Sequence, residues 1–248
     1  VHPILIDYPF PIYSFGVFVV LGVIGGLFVA RNGVRSARLD EGMFWDVSLT
    51  ALLVGVVVSR LWHVAFAERG SVALTSVFTL SGTSLSLLGG LLAGGAVVVY
   101  LLRRRSQSLT QWLDAVSPGI LVALAIGTIG SVLGGIMIGS TTRLPWAIEV
   151  GADLRHPIAE YYLVGYLLLL VVGRHYIRRH QAYFAQTGNR WWSLVAGVAL
   201  LHVVVEPWRD PLTSAFIRGV RIEWLIWLLL ATGALIRLRL GKESRETV

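Results

Sequence analysis

Four groups of residues in this 248-residue chain have types and spacings that could do chemistry. His156 precedes Pro157, a residue suited to the first turn of a helix, and Glu160 follows four residues on. A ring and a carboxylate would then meet on one helix face. The pair reads either as a general base with an orienting acid or as an ion pair at a helix start. His202, Glu206 and Arg209 recur at spacings of four and three, which is one helical face if Pro207 only kinks the helix. Three ionisable groups at one depth are costly against lipid, so they should point into a bundle. A purely structural Glu206–Arg209 pair is the plain alternative. Arg60, followed by Trp62 and His63, either snorkels to headgroups or ligates a phosphate. Finally, Arg143, Arg155 and Arg209 adjoin the ends of apolar runs and could form an outward-facing anion-binding site.

The elements that must hold these residues follow from composition. Hydrophobic residues make up 55% of the chain, charged residues 14%, and the mean hydropathy is +0.72, which marks a membrane protein. Cysteine is absent, which excludes disulfides, protein thiolate chemistry and Cys-ligated metals. No metal and no cofactor is expected. The net charge of +7 sits in short clusters at the ends of apolar runs rather than on one basic face, so a nucleic-acid partner is not expected.

Measured against the roughly 20 residues that a bilayer demands, seven apolar runs are candidate spans. They are Tyr13–Ala30, Phe44–Phe66, Ser84–Leu102, Trp112–Ile138, Ile158–Val172, Ser193–Val205 and Ile222–Ile236. The opening residues lack the basic region and cleavage site of a signal peptide, so the first span should remain. With the amino terminus outside, inner segments hold 14 of the 21 basic residues and outer segments 6, with Arg60 inside a span. The chain is therefore expected to be an all-α, polytopic membrane protein in one domain, 1–248, with about seven transmembrane helices, the amino terminus outside and the carboxy terminus cytoplasmic. The 67–83 loop contains an apolar segment, Val72–Leu80, that could lie along the interface.

The fourth run carries Gly127, Gly130, Gly134, Gly135 and Gly139, residues that let backbones and bound molecules approach closely. It is expected to form the packing centre and the floor of a membrane cavity, ahead of a polar loop from Ser140 to Arg155. On span seven, Arg221 and Glu223 beside Trp224 read as interfacial anchors without an assigned role. No broken-helix pair or internal symmetry suggests a transporter or channel.

Read in order, these residues resemble the bacterial prolipoprotein diacylglyceryl transferase family. The resemblance rests on His2-Pro3, Pro11-Ile12-Tyr13, Ser59-Arg60, the SLLGGL stretch Ser86–Leu91 and Asp114–Pro118. It continues through the glycine stretch, Pro145-Trp146-Ala147, Arg155-His156-Pro157 with Tyr161, and Glu206–Pro211. Matching family positions are Tyr13, Arg60, Asp114, Gly139, His156, Tyr161, Glu206 and Arg209.

The resemblance implies an inner-membrane enzyme that transfers the diacylglyceryl group of phosphatidylglycerol to the lipobox cysteine thiol of a prolipoprotein signal peptide, releasing glycerol phosphate. It implies catalytic roles for His156, Tyr13 and Glu206, and phosphate or lipid contacts for Arg60, Arg209 and Gly139. The family's glycine stretch, however, reads Gly-Arg-x-Gly-Asn-Phe-x-Asn-Gly-Glu. Here Thr128 stands for the Arg, Ser131 and Gly134 for the two Asn, and Ile136 for the Glu. Leu88 replaces a His, Tyr162 a Glu and His202 a second Arg. Threonine cannot supply a charged bidentate donor, so Arg143, Arg155, Arg209 and a protonated His202 are the candidates to compensate. The alternative is a catalytically degenerate member that keeps the scaffold and binds membrane lipid.

Overall fold

A computed structural model of the protein describes residues 4–6, 12–66, 87–210, 216–217 and 220–246. The 67–83 loop with its expected interfacial segment lies outside them, as do His2, Pro3, Pro11, Arg69 and Arg218. A short hairpin of β1 (Ile4–Ile6) and β2 (Ile12–Tyr13) leads into α1 (Ser14–Ser36), α2 (Glu41–Phe66), α3 (Leu87–Arg104) and α4 (Leu109–Gly134). Three strands follow: β3 (Ile138–Thr141), β4 (Ile148–Val150) and β5 (Asp153–Pro157). The chain continues with α5 (Ile158–Arg179), α6 (Gln181–Phe184), α7 (Asn189–Val205), a 3-10 turn (Glu206–Trp208), a hairpin of β6 (Phe216–Ile217) and β7 (Val220–Arg221), and α8 (Ile222–Glu246).

The architecture is mostly helical. Among the described residues, five helical stretches are long and apolar enough to cross a membrane: Ser14–Ser36, Glu41–Leu61, Leu109–Gly134, Ile158–Arg179 and Asn189–Trp208. The segment expected as a polar loop instead forms a small antiparallel sheet ordered β3-β5-β4. Strand β4 turns back on β5 through Gly151–Ala152, with Ile148 opposite Arg155 and Val150 opposite Asp153. The glycine stretch is also divided. Helix α4 ends at Gly134, Gly135 and Met137 take left-handed backbone angles (φ 61° and 66°), and Gly139 belongs to β3. A span running to Ile138 is thus four residues too long.

The chain forms two compact units. One comprises Arg31–Trp112. In it α2 and α3 pack backbone to backbone: a methyl on Gly94 would stand 3.1 Å from the Ala51 carbonyl oxygen, and one on Gly55 3.1 Å from that of Gly90. Arg31 and Arg35 grip Glu41 at 2.7 and 2.8 Å. Arg60 is only 6% exposed, so protein atoms cover most of its side chain.

The other unit comprises Val1–Ala30 and Leu113–Val248. Here α1 crosses α4 so closely that a methyl on Gly119 would meet the Gly26 carbonyl oxygen at 2.3 Å, and Gly130 lies against Phe15 and Phe18. Such small-residue contacts are the means by which helices associate in lipid, where apolar burial gives no net gain. A core of Leu121, Ala125, Ile158, Tyr162, Tyr166 and Val205 joins α4, α5 and α7. Asp114 on α4 accepts hydrogen bonds from the backbone N–H groups of Gly188 and Trp191, satisfying donors that the first turn of α7 leaves without intrahelical partners. That gives this family-matching residue an architectural duty. Trp224 of α8 ties to α7 through the Val203 carbonyl at 3.0 Å.

Candidate active site

Where β3, β5 and the 3-10 turn meet, the residues singled out in the sequence are brought together. The backbones of Gly139 and Arg209 bridge in antiparallel fashion, Asp210 N–H reaches the Ile138 carbonyl, and Ser140 Oγ donates to the Trp208 carbonyl at 3.1 Å. Gly139 is required by this closeness. A methyl there would lie 2.5 Å from His156 Cβ, 2.7 Å from the His156 oxygen and 2.8 Å from the Trp208 oxygen.

His156 is 8% exposed and sits on β5, not in a helix, because the strand runs through Pro157 and α5 begins only at Ile158. The four-residue relation to Glu160 therefore fails. Instead His156 Nδ1 shares a 3.1 Å hydrogen bond with the Tyr161 hydroxyl, which also accepts from Trp146 Nε1 at 2.8 Å. Trp208 stacks on the imidazole, with ring centroids 5.9 Å apart and planes 16° apart. The histidine is thus fixed by three aromatic residues. Of these, Tyr161 is a matching family position, whereas Trp146 and Trp208 lie within the motif stretches Pro145-Trp146-Ala147 and Glu206–Pro211 without an assigned role.

Glu206 is 1% exposed, and its carboxylate accepts from the Tyr162 hydroxyl at 3.2 Å and from Arg209 at 3.4 Å. The expected Glu206–Arg209 pair exists, but on a 3-10 turn rather than a continued helix: α7 stops at Val205 and Arg209 is extended (ψ 152°). His202 remains on α7 and faces an aromatic group. It stacks on Trp227 at 3.9 Å, lies 4.5 Å from the Tyr162 ring, and meets the Tyr166 hydroxyl at 3.0 Å. Among the described residues its Nδ1 is buried without a hydrogen-bond partner.

A cleft of about 440 Å³ opens beside the turn, lined by residues 135–138, Val150, Arg155, Arg209 and Asp210. Two of the expected cations, Arg155 and Arg209, reach it. Arg143 and His202 do not line it, and Arg143 is exposed between β3 and β4. Arg155 is held by Asp210 at 2.7 Å and Asp153 at 3.1 Å. Its bond to Asp153, then the bond and charge of Asp210, outweigh desolvation and hold the guanidinium above its ordinary pKa. Met137 keeps its left-handed backbone at the cleft wall, a conformation uncommon for a residue with a side chain.

Tyr13 lies on β2 and is exposed; Arg60 belongs to the other compact unit. Of the departing positions, Tyr162 and His202 have the partners given above. Thr128 Oγ1 donates to the Leu124 carbonyl within its own helix at 2.7 Å, and Ser131 is buried. One contributor reads in the sequence only as an interfacial anchor without a role. Arg221 on β7 donates to the carbonyl oxygens of Glu206 and Arg209, each at 2.7 Å. Its sequence neighbourhood, beside Trp224 at a helix start, looks like any membrane-interface anchor.

These features define a polytopic, mostly helical membrane protein with a histidine, a buried carboxylate and two arginines gathered at the end of its helices. It belongs to the prolipoprotein diacylglyceryl transferase family, whose model matches residues 3–239. The chain is 26% identical to the phosphatidylglycerol-prolipoprotein diacylglyceryl transferase of Mycobacteroides abscessus, over 96% of this chain and 76% of that protein. It is 24% identical to the enzyme of the same name from Finegoldia magna, over 92% and 91%, and 25% identical to that of Corynebacterium diphtheriae, over 95% and 92%.

Proposed function

We propose that this chain is a transferase that moves the diacylglyceryl group of phosphatidylglycerol onto the lipobox cysteine thiol of a prolipoprotein signal peptide. It would act as one domain in the bacterial inner membrane, with seven spans, the amino terminus outside and the carboxy terminus inside. The observation that carries the reading is the family match along residues 3–239, which includes the gathered His156, Tyr161, Gly139, Glu206 and Arg209.

In the imidazole tautomer whose Nδ1–H donates to Tyr161, Nε2 keeps its lone pair and has no hydrogen-bond partner among the described residues. That nitrogen takes the thiol proton, since the thiolate is the competent nucleophile. Sulfur then bonds to the glycerol carbon as the carbon–oxygen bond to phosphate breaks, and glycerol phosphate leaves. Arg209 steadies the phosphate in the cleft with Arg155 beside it; lipid contacts of Arg143 and His202 would lie outside that cleft, and a contact of Arg60 would belong to the other compact unit. Tyr13 acts at the substrate, and Glu206 orients Arg209. Gly139 keeps His156 against Trp208.

The purified protein in phosphatidylglycerol nanodiscs, given a lipobox peptide, should yield a thioether-linked diacylglyceryl peptide by mass spectrometry, and His156→Ala should abolish it. Absence of product under conditions where another family member works would sink the reading. It would favour a lipid-binding scaffold, for which Thr128, Ser131, Tyr162 and His202 at family polar positions would be the basis.

A further inference from the structure

We propose that Arg221 is a positioning residue that clamps the turn carrying Glu206, Trp208 and Arg209. The inference rests on the function proposed above. A helix ending at Val205 leaves its last carbonyl groups without intrahelical donors. The Glu206 oxygen accepts the Arg209 backbone N–H at 3.2 Å, which closes the 3-10 turn, and it also accepts one arm of Arg221 at 2.7 Å. The other arm reaches the Arg209 oxygen at 2.7 Å. One guanidinium therefore spans both ends of the turn, and its positive charge stands where the helix dipole favours a cation.

The turn is where the site is assembled. From its first residue the buried carboxylate holds Arg209, from its third Trp208 stacks on His156, and just past it the Arg209 backbone bridges to Gly139. Arg221 holds Glu206 and Arg209 by their backbone oxygens, so it acts through them. Its own backbone is set by the β6–β7 pairing, in which it stands opposite Phe216, and by the start of α8 at Ile222. The planar fork matters as much as the charge. Two N–H groups at a fixed spacing can hold two carbonyls together, whereas a lysine ammonium is a single point donor on a flexible stem.

The test uses the full-length protein in phosphatidylglycerol nanodiscs and compares wild type, Arg221→Gln, Arg221→Lys, Arg209→Ala and the Arg209→Ala/Arg221→Gln double variant. Arg221→Gln should lower kcat by about tenfold to a hundredfold, the size of effect typical of a supporting partner behind a functional group, while KM for the peptide changes by less than about twofold. Arg221→Lys should not restore kcat, and in the Arg209→Ala background the added loss should shrink to about twofold or less, since coupled residues are not additive. Wild-type kcat in Arg221→Gln, full rescue by lysine, or an equal loss with and without Arg209 would overturn the clamp. Amide hydrogen exchange separates this failure from failure of the transferase reading. Exchange at the amides of residues 206, 208 and 209 should quicken about tenfold in both Arg221 variants whether or not wild type turns over, with α5 unchanged. Unchanged exchange in the turn refutes the inference even if the enzyme is active.

Discussion

Replacing Gly139 by alanine adds one methyl group at the point where β3, β5 and the 3-10 turn converge. Gly139 does not use a left-handed backbone, so alanine meets no conformational penalty there and the effect is steric alone. The new carbon would stand 2.5 Å from His156 Cβ, 2.7 Å from the His156 oxygen and 2.8 Å from the Trp208 oxygen. Ordinary contacts lie near 3.5–4.0 Å, so each overlap is on the order of 1 Å. No rotamer change relieves it, because all three atoms are backbone or Cβ. Overpacking commonly costs about 1–3 kcal/mol, and three immovable neighbours put this case at the upper end. At roughly 2–4 °C per kcal/mol for a chain of this size, the unfolding midpoint should fall by about 6–12 °C. Because His156 must separate from Trp208, transferase activity should fall with it, even well below that midpoint.

Gly127→Ala is the internal control. It lies in the same glycine stretch, inside α4, and a methyl there meets nothing within 4 Å. Alanine should therefore stabilise the helix by about 0.5–1 kcal/mol. The assay is a thermal scan of both variants in one detergent at one scan rate, with activity measured alongside. Equal midpoints for the two variants, or an active Gly139→Ala protein that melts with wild type, would refute the steric argument.

Asp114→Ala strips two backbone N–H groups at the start of α7 of their acceptor, so stability should fall by about 1–3 kcal/mol while activity persists below the lowered midpoint; a scan paired with an activity assay checks this. Tyr161→Phe removes the oxygen shared by His156 Nδ1 and Trp146 Nε1, so kcat should drop about tenfold to a hundredfold, with a midpoint shift no greater than the loss of one or two hydrogen bonds. A Tyr161→Phe enzyme with wild-type kcat would remove Tyr161 from the orientation of His156.

The apolar runs were legible because a bilayer imposes length and composition together, and the helices stand where those runs do. Asp114, His156, Tyr161, Glu206 and Arg209 were legible as types at motif positions. Their duties were less so. Asp114 proved to be a helix cap in space, and the carboxylate expected beside His156 gave way to a phenol, because a five-residue strand occupies what spacing suggested was a helix. The β4–β5 hairpin had a faint signal in the alternation Ile148-Glu149-Val150 and Leu154-Arg155 around Gly151. Strands of three to five residues are too short for periodicity to outweigh their apolar surroundings.

By itself the sequence determined the class of protein, the places of its helices and the residue types available for chemistry, since hydropathy and composition are summed over long windows and survive any local error. Only the tertiary structure decided which of those residues meet. Gly139 lies against His156 and Trp208, Arg155 and Arg209 share a cleft that Arg143 and His202 do not line, and Arg221 closes the turn from beyond it. Each is a contact between segments distant in sequence. Side-chain direction and strand register settle such contacts, and neither is encoded in spacing along one element.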